Sequence, residues 1–418
     1  MTEQLLQYIW QFRYFNMNNL TTTEGEPVSI ISNGTHNNNQ GPDFLKATIK
    51  IADTTWVGNV ELHVQASQWD DHQHSADKNY NNVILHVVWE HNKKMALPFP
   101  VLELQGRVSK LLLGRYNELM KTDSFIPCEK NIHQADELTW MKWKERLLIE
   151  RLQEKATVAM NYLAETHQHW EEIFWWMLAR NFGMKVNSEA FEKIARNIPV
   201  NVLSKHKNQV QQLEALLLGQ AGLLEGDFTD PYAIMLQKEY HFLQKKYRLT
   251  GTGIPVHQLR MRPSNFPPVR LAQLAMLVQQ SSHLFSKIIA MENVKEVKQL
   301  LDVTANDFWH YHYLLDEASG YKEKKLGAQM LNNILINTIA PILFAYAAHT
   351  GDYQYKNKAL QWMEQIPAEK NTITKGYAAL GVTIKTAMDS QALIQLKNHY
   401  CNHKRCLECA VGNKILKG

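Results

Sequence analysis

The sequence predicts an α+β amino-terminal domain followed by a mostly α-helical domain. Before about residue 135, short β-rich runs alternate with turn residues, whereas beyond it long stretches carry helical periodicity and few strand signals. The chain has 418 residues, which is more than one compact core usually holds. We therefore expect an α/β domain over residues 1–134, a helical bundle or irregular solenoid over 135–395, and a cysteine-rich tail over 396–418.

The elements of the amino-terminal domain can be predicted in order. Apolar residues recur at helical spacing over residues 3–16, VSIIS is a short strand, and NGTHNNNQGPD has the composition of a loop. FLKATIKIA and TWVGNVELHV alternate as strands do, so we expect a hairpin joined at Ala52, Asp53 and Thr54. NVILHVVWE is predicted to be a strand buried on both faces. A further strand, PVLELQG, and a closing helix, VSKLLLGRYNELM, follow it.

The rest of the chain consists mainly of helical segments. The strongest are LTWMKWKERLLIERLQEKATVAMNYLAE, HWEEIFWWMLARNFG, QVQQLEALLLGQAGLL, VRLAQLAMLVQQSSHLFSKI and KLGAQMLNNILINTIAPILFAYAAHTG. A loop rich in proline and arginine, residues 251–270, interrupts them.

The composition is that of a mildly basic globular protein. A formal net charge of +4 permits nucleic-acid binding without arguing for it. No apolar run approaches the roughly 20 residues of a membrane-spanning helix. The first residues, MTEQLLQYIWQFRYF, lack the features of a signal peptide. We therefore expect a cytoplasmic protein that does not engage a membrane, with its four cysteines present as reduced thiols or metal ligands.

Carboxylate and imidazole groups concentrate on one face of the predicted hairpin. Residues two apart in a strand point the same way, so Glu61, His63 and Gln65 share a face. If residue i opposes roughly 106 − i, Leu45 lies opposite Glu61 and Asp43 lies opposite His63. Two carboxylates can hold Mg²⁺ or Mn²⁺ for phosphoryl chemistry, with His63 positioning the attacking water. The alternative is a polar hairpin face that points to solvent.

More titratable residues follow this strand. His72 and His74 are candidates for additional ligands or proton donors, and a buried His86 needs a partner such as Asp77 or a backbone carbonyl. One alternative is a surface loop with one hydrogen-bonded core histidine. Another is a zinc hydrolase at His63, His72 and His74, although standard zinc spacings are absent.

Three of the four cysteines, Cys401, Cys406 and Cys409, occur within nine residues. This density in a reducing compartment favours a metal site, either tetrahedral Zn²⁺ or an iron–sulfur cluster. Cys128 would be the fourth ligand, with His403 as a substitute. Free thiols, inert or redox-active, are the alternative.

A basic segment precedes one of the helices. Arg260, Arg262 and Arg270 flank the proline-rich turn in HQLRMRPSNFPPVR. Guanidinium groups near a helix N-terminus make a good phosphate site. The alternative is a linker whose arginines pair with acids of neighbouring helices.

Two family resemblances cover these motifs. In order, IWQFRYFN, GPDFLKATIKI, GNVELHV, NVILHVVWEH, LRMRPSNFPPVRLAQLA and KRCLECAVGNKIL resemble a bacterial family catalogued as domain of unknown function 2851, over nearly the whole chain. GPDF at 41–44 and VELHV at 60–64 resemble the PD-(D/E)XK nuclease superfamily. That resemblance implies a restriction-endonuclease-like mixed sheet flanked by helices. It also implies that Asp43 and Glu61 hold the metal, with His63 where the superfamily has lysine. The cysteine pattern resembles the iron–sulfur site of some superfamily members, in which the lone cysteine precedes the core.

The motifs together predict a metal-dependent nuclease that hydrolyses phosphodiester bonds in DNA or RNA. Its helical domain would guide the nucleic-acid backbone through the arginines. The alternative is a catalytically inactive nuclease-like scaffold or a nucleic-acid- or protein-binding module. The missing lysine and the modest net charge favour that alternative.

Overall fold

The protein divides into two compact units. The computed structural model describes residues 1–37, 39–72, 74, 77–258, 265–281 and 283–418. One unit consists of Met1–Trp143 together with Lys397–Gly418, and the other of Lys144–Leu396. The first unit contains a mixed β-sheet and the second is mostly helical, which confirms the α+β class at this level. The carboxy-terminal residues therefore pack with the sheet unit.

The sheet of the first unit is antiparallel at one edge and parallel at the other. Its strands are β1 (Val28–Ser32), β2 (Thr35–His36), β3 (Phe44–Ile51), β4 (Thr54–Gln65), β5 (Val83–Glu90) and β6 (Val101–Glu103). The strand order is β1–β3–β4–β5–β6, and β2 also pairs with β3. The β1–β3 and β3–β4 pairs are antiparallel, whereas β4–β5 and β5–β6 are parallel. Strand β4 therefore lies inside the sheet.

The register of the β3–β4 hairpin differs from the predicted one. Near the turn the shift is one residue, because the connection contains only Ala52 and Asp53. At the other end, Phe44 pairs with Val60, two residues earlier than predicted. A β-bulge containing Lys46, which has a left-handed φ of 57°, accounts for the second shift. A one-residue slip moves side chains to the opposite face, so this bulge decides where the acid preceding β3 points.

The helices are numbered through both units. The first unit contains α1 (Glu3–Gln11), α2 (Gln68–Asp71) and α3 (Lys110–Lys121), and α4 (Glu137–Glu165) contains the boundary between the units. The helices of the second unit are α5 (Trp170–Phe182), α6 (Met184–Asn197), α7 (Val200–His206), α8 (Val210–Gln220), α9 (Pro231–Tyr247), α10 (Pro267–Gln280), α11 (Leu284–Ala290), α12 (Val294–Leu301), α13 (Asp307–His310), α14 (Ala328–Ile334), α15 (Ala340–Thr350), α16 (Tyr353–Gln365), α17 (Thr372–Ala379) and α18 (Ala387–Gln395). Helix α19 (Ala410–Lys417) belongs to the first unit.

Helix α1 packs on β4 and ends earlier than predicted. The hydroxyl of Thr2 accepts the Leu5 N–H at 3.2 Å and caps its start. At the other end, Arg13 adopts a left-handed φ of 54°, and the Tyr14 N–H donates to the Ile9 carbonyl at 2.9 Å. The helix therefore lies along the strand that carries the predicted site.

The second unit is organised around a large apolar core. Its largest buried side chains include Phe174, Phe182 and Trp309. The expectation that no apolar run approaches the length of a membrane span is wrong for one segment: Ala328–Thr350, which includes a π-helical stretch at Leu335–Ile339, is long and apolar enough to cross a membrane. Of its most apolar stretch, 78% is buried inside the protein, as in the core helix of a folded domain. A small hairpin that was not predicted, β7 (His312–Leu314) with β8 (Glu317–Ala318), also lies in this unit.

Candidate metal centre

The carboxyl groups of Asp43 and Glu61 meet where β3 begins beside β4. The Asp43 backbone N–H donates to Glu61 Oε2 at 3.0 Å, and the Leu62 N–H donates to Asp43 Oδ2 at 3.0 Å. From α1, Gln7 Nε2 donates to Asp43 Oδ1 at 2.8 Å. The corrected register thus sets Asp43 beside Glu61, whereas the predicted register set it opposite His63.

Burial raises the pKa of both acids. It raises the pKa of Asp43 to about 7, although the hydrogen bonds from Leu62 and Gln7 oppose the shift. Burial, followed by the negative charge of Asp43, raises the pKa of Glu61 to about 9. The charge of Glu3, on α1, further raises the pKa of both groups. Ionising this pair without a counter-ion is therefore costly, and a bound cation would lower both pKa values.

Imidazole groups surround the second oxygen of Glu61. His63 Nε2 lies 3.6 Å and His74 Nε2 lies 3.5 Å from Glu61 Oε1. His63 Nε2 is also 3.2 Å from His72 Nδ1, while His63 Nδ1 is 2.9 Å from His86 Nε2. His63 and His86 are completely buried, whereas His72 is exposed. The imidazoles therefore run from the core of the sheet to its surface.

The buried imidazoles are neutral at physiological pH. Burial, followed by the neighbouring imidazoles, lowers the pKa of His63 to about 2 and the pKa of His86 to about 3. Burial also lowers the pKa of His74. In the part of the chain that the structure describes, His74 Nε2 and His86 Nδ1 are buried without a hydrogen-bond partner. His74 thus directs an unsatisfied nitrogen at the Glu61 carboxyl group, as a metal ligand would.

The donor atoms have the spacing of a metal site. The ligand nitrogens of His63, His72 and His74 all lie within 4.8 Å of one another. A cation with bonds of about 2.1 Å, in tetrahedral or octahedral geometry, separates adjacent ligand atoms by about 3.0–3.5 Å. The contacts of Glu61 Oε1 at 3.5 and 3.6 Å are close to that range. His86 holds the second nitrogen of His63, which is how an outer partner orients a metal-binding imidazole. The residues present therefore fit a divalent cation.

Two aromatic residues that were not predicted as part of the site enclose the histidines. Trp69, on α2, packs edge-on against His63 and His74, with ring centroids 6.4 and 5.2 Å apart. Tyr80 stacks on His74 at 3.9 Å. Burial, followed by the charges of Glu61 and Asp43, raises the pKa of Tyr80 to about 12. The signal that could have identified these two aromatic residues is the occurrence of tryptophan and tyrosine among the histidines of residues 69–80.

Two residues of α1 were also missed. Glu3 and Gln7 are four residues apart, so they share a helix face, and both act on the acids of the site. Polar pairs at this spacing occur on most amphipathic helices. The sequence of α1 therefore contains no specific signal for their role.

Other predicted residues lie apart from the acids. The side chain of Gln65 is exposed, and its backbone N–H donates to Gln68 Oε1 at 2.7 Å. Asp77 caps the 3₁₀ turn Lys78–Tyr80 by accepting the Asn79 N–H at 2.9 Å. The hydrogen-bond partner of His86 is therefore His63, and not Asp77 as the sequence suggested.

The predicted phosphate-binding arginines fall into two groups. Arg260 and Arg262 lie outside the described residues. Arg270, on α10, is 6% exposed, and its guanidinium donates to Gln273 Oε1 at 2.9 Å and Asn265 Oδ1 at 2.6 Å. Burial lowers the pKa of Arg270 to about 10. Its contacts are those of a core residue of the second unit, and its phosphate role stays a prediction.

The four cysteines all belong to the first unit. Cys128, Cys406 and Cys409 are buried, and Cys401 is partly buried. His403, considered as a substitute ligand, is exposed.

The fold and the site define an α+β protein with a candidate metal centre in a mixed sheet and a second, helical unit. The family "Protein of unknown function (DUF2851)" matches residues 3–372, and the chain belongs to that family. This match confirms the family resemblance for five of the six motifs, whereas KRCLECAVGNKIL lies beyond the matched residues. No curated protein and no solved structure matches the chain. The matched residues include the whole candidate metal centre and end before residues 401–409.

Proposed function

We propose that this protein is a metal-dependent phosphodiesterase that acts on nucleic acid. The observation that carries the proposal is the convergence of Asp43 and Glu61 with Nε2 of His63 and of His74. The topology supports it, because antiparallel β1–β3–β4 followed by parallel β5 is the strand arrangement of the PD-(D/E)XK superfamily. The restriction-endonuclease-like fold is part of this proposal and rests on that similarity of arrangement.

The donor set favours Mn²⁺ over Mg²⁺. Mg²⁺ prefers oxygen ligands and retained waters, whereas imidazole nitrogen suits transition-metal ions. Asp43 and Glu61 would supply oxygen atoms, and His63 and His74 would supply nitrogen atoms. When bound, the ion would polarise the scissile phosphate and lower the pKa of a coordinated water.

His63 takes a different role from the lysine of the superfamily. Its lowered pKa keeps it uncharged, so it supplies no permanent cation beside the phosphate. Its Nδ1 contacts His86, which leaves Nε2 to face Glu61. We therefore assign His63 as a ligand, which modifies the water-positioning role predicted from the sequence.

Proton exchange during hydrolysis is assigned to His72. In the reaction a water oxygen bonds to phosphorus and gives up a proton, the bond from phosphorus to the leaving oxygen breaks, and the leaving oxygen takes up a proton. His72 is exposed, and its Nδ1 lies 3.2 Å from His63 Nε2, so it stands beside the site and in contact with solvent. With His63 Nε2 bound to the ion, His72 would exchange protons with the coordinated water.

Cleavage assays on matched acid variants test the proposal. We expect the parent protein to cleave single- or double-stranded DNA or RNA with Mn²⁺. Asp43→Asn and Glu61→Gln should lower the rate about a thousandfold, because a metal supplies several kcal/mol of transition-state stabilisation. Asp53→Asn, at the exposed hairpin turn, is the matched control and should retain activity.

The outcomes separate the two predicted classes. Equal cleavage by parent and Asp43→Asn would rule out this site. Binding of labelled DNA without divalent-dependent turnover would instead support the nuclease-like scaffold.

A second candidate is a zinc hydrolase acting on small esters. It is favoured because the ligand nitrogens of His63, His72 and His74 all lie within 4.8 Å of one another. Under this alternative, zinc-loaded protein hydrolyses a small ester, His72→Ala abolishes the activity, and Asp43→Asn retains it. Loss of activity in Asp43→Asn with activity retained in His72→Ala would instead support metal binding by the carboxylate pair.

A further inference from the structure

The four cysteines of the chain come together from two distant segments. Cys128 precedes a 3₁₀ turn at Glu129–Gln134, and the other three lie in the carboxy-terminal segment of the same unit. The pKa of the Cys128 thiol is raised by burial, and then by the charges of Cys401, Cys409 and Cys406. All three are therefore within electrostatic range of Cys128.

The carboxy-terminal segment is held firmly in the first unit. Helix α19 packs on α3 and on the 3₁₀ turn that follows Cys128. Lys414 Nζ lies 2.9 Å from Asp136 Oδ2, and Lys404 Nζ donates to the Met120 carbonyl at 2.8 Å. These contacts fix the three neighbouring thiols opposite Cys128.

The backbone around the thiols is tightly packed. A Cβ atom at Gly412 would lie 2.2 Å from the carbonyl oxygen of Cys406, so only glycine allows α19 to approach that turn. Burial raises the pKa of Cys409, although the backbone N–H groups of Gly412 and Val411 and the side chain of Trp143 oppose the shift. Donor groups directed at a buried sulfur favour its thiolate form, which is the form that binds metals.

We propose that Cys128, Cys401, Cys406 and Cys409 form a four-thiolate metal centre that joins the two chain segments of the first unit. Four thiols, three of them buried, cannot ionise next to one another without a cation. Four cysteine ligands are the donor set of structural Zn²⁺ sites and of iron–sulfur clusters. This centre is separate from the carboxylate–imidazole site and does not depend on its activity.

Two kinds of metal centre use four cysteine ligands. A single Zn²⁺ with bonds of about 2.3 Å holds four sulfur atoms about 3.8 Å apart. In a cluster of several iron atoms each cysteine binds a different iron, so the sulfur atoms lie further apart. Metal analysis distinguishes the two.

Metal analysis of anaerobically purified full-length protein tests the proposal. We expect bound metal: either one zinc ion per chain, or iron and acid-labile sulfide in about equal amounts with visible absorption that dithionite bleaches. Cys128→Ser should lose the metal. Cys401→Ser should lose it too, and because Cys401 is partly exposed, this variant is the one expected to stay folded by circular dichroism.

Two control variants locate the metal. His403→Ala removes an exposed side chain between the thiols and should keep the metal. Glu61→Gln alters the other site and should also keep it, so failure of the phosphodiesterase proposal leaves this result intact. One zinc ion per chain, lost in both cysteine variants, would support a four-thiolate centre with a single ion. Metal-free protein, or metal content unchanged by Cys128→Ser, would overturn the centre.

Discussion

Glu61 is a buried acid whose ion-pair partners are uncharged. It is 4% exposed, and the imidazoles of His63 and His74 that face it have lowered pKa values. They therefore do not supply the positive charge that an ionised Glu61 requires. With the pKa of Asp43 near 7 and the pKa of Glu61 near 9, the metal-free site is largely protonated at neutral pH. A divalent cation would displace these protons and satisfy acids and imidazoles together.

The raised pKa values predict how stability depends on pH. Unfolded Glu61 loses its proton near its ordinary pKa of 4.5, whereas folded Glu61 keeps it until about pH 9. The folded state binds more protons in this window, so the free energy of unfolding of metal-free protein should fall as pH rises through it. Glu61→Gln removes this titration. In urea unfolding with EDTA, the variant should match the parent near pH 5 and exceed it at pH 8.

Adding Mn²⁺ should make the parent protein more stable than Glu61→Gln at pH 8. The ion binds the ionised carboxylates, so at pH 8 it should stabilise the parent and leave Glu61→Gln nearly unchanged. Parallel pH profiles for the two proteins in EDTA would contradict the raised pKa of Glu61.

The contact between His86 and His63 predicts an effect on metal affinity. His86→Phe keeps a ring of similar size but removes the nitrogen that lies 2.9 Å from His63 Nδ1. We expect metal affinity to fall about 10- to 100-fold, as is usual for loss of an outer partner. Calorimetric titration with Mn²⁺ or Zn²⁺ measures it. His133→Phe, at an exposed position, is the control, and equal affinities of the two variants would assign His86 a packing role only.

At the scale of the element, the bulge in β3 sets the direction of the acid that precedes the strand. Lys46 sits in the left-handed region, and its N–H donates to Asn59 Oδ1 at 3.3 Å on β4. The bulge inserts one residue, so Asp43 lies beside Glu61 and bonds to the Leu62 N–H. A short irregularity in one strand therefore assembles the carboxylate pair.

Substitutions at Lys46 should change stability through its left-handed backbone and leave the metal site in place. Lys46→Gly should gain up to about 1 kcal/mol in the free energy of unfolding, because glycine tolerates positive φ. Lys46→Val should lower it, because a β-branched residue strongly disfavours positive φ. Both variants keep the number of residues in β3, so both should keep the Mn²⁺ affinity of the parent. Urea unfolding in EDTA measures the stabilities, and equal values for the two variants would contradict the left-handed conformation of Lys46.

The elements themselves could be predicted better than their pairing. Alternating residues predicted β3 and β4, and the continuous apolar run predicted β5 as a strand buried on both faces. The register could not be predicted, because a left-handed lysine has no sequence signal and a two-residue turn resembles a three-residue one. The convergence of Asp43 and Glu61 was expected, but through the wrong pairing. Burial of Arg270 depends on packing within the second unit, which local sequence does not encode.

At the scale of the whole molecule, the carboxy-terminal segment completes the first unit. Helix α19 buries Val411, Ile415 and Leu416, and the chain returns to this unit only after the helical unit is complete. Composition indicates where helical content begins. It cannot show that residues 397–418 fold with residues 1–143, because contacts between distant segments leave no local periodicity.

The substitution Ile415→Ala tests whether the carboxy-terminal segment stabilises the first unit. Ile415→Ala should lower the stability of the first unit by about 2–5 kcal/mol, the usual cost of removing a buried aliphatic side chain. Lys417→Ala, at an exposed position two residues further on, should change it by less than about 0.5 kcal/mol. The readout is hydrogen exchange of sheet amides, because a chain with two units need not unfold in one step. Unchanged exchange in Ile415→Ala would show that the segment contributes little to the first unit.

Binding of a divalent cation between the carboxylate pair and the imidazoles can be observed directly. The most direct measurement is an anomalous difference map at the manganese edge from crystals grown with Mn²⁺. We predict a peak within bonding distance of Glu61 Oε1 and of Nε2 of His63 and His74. A map from crystals soaked in saturating Mn²⁺ that shows no density at that position would contradict the proposed metal centre.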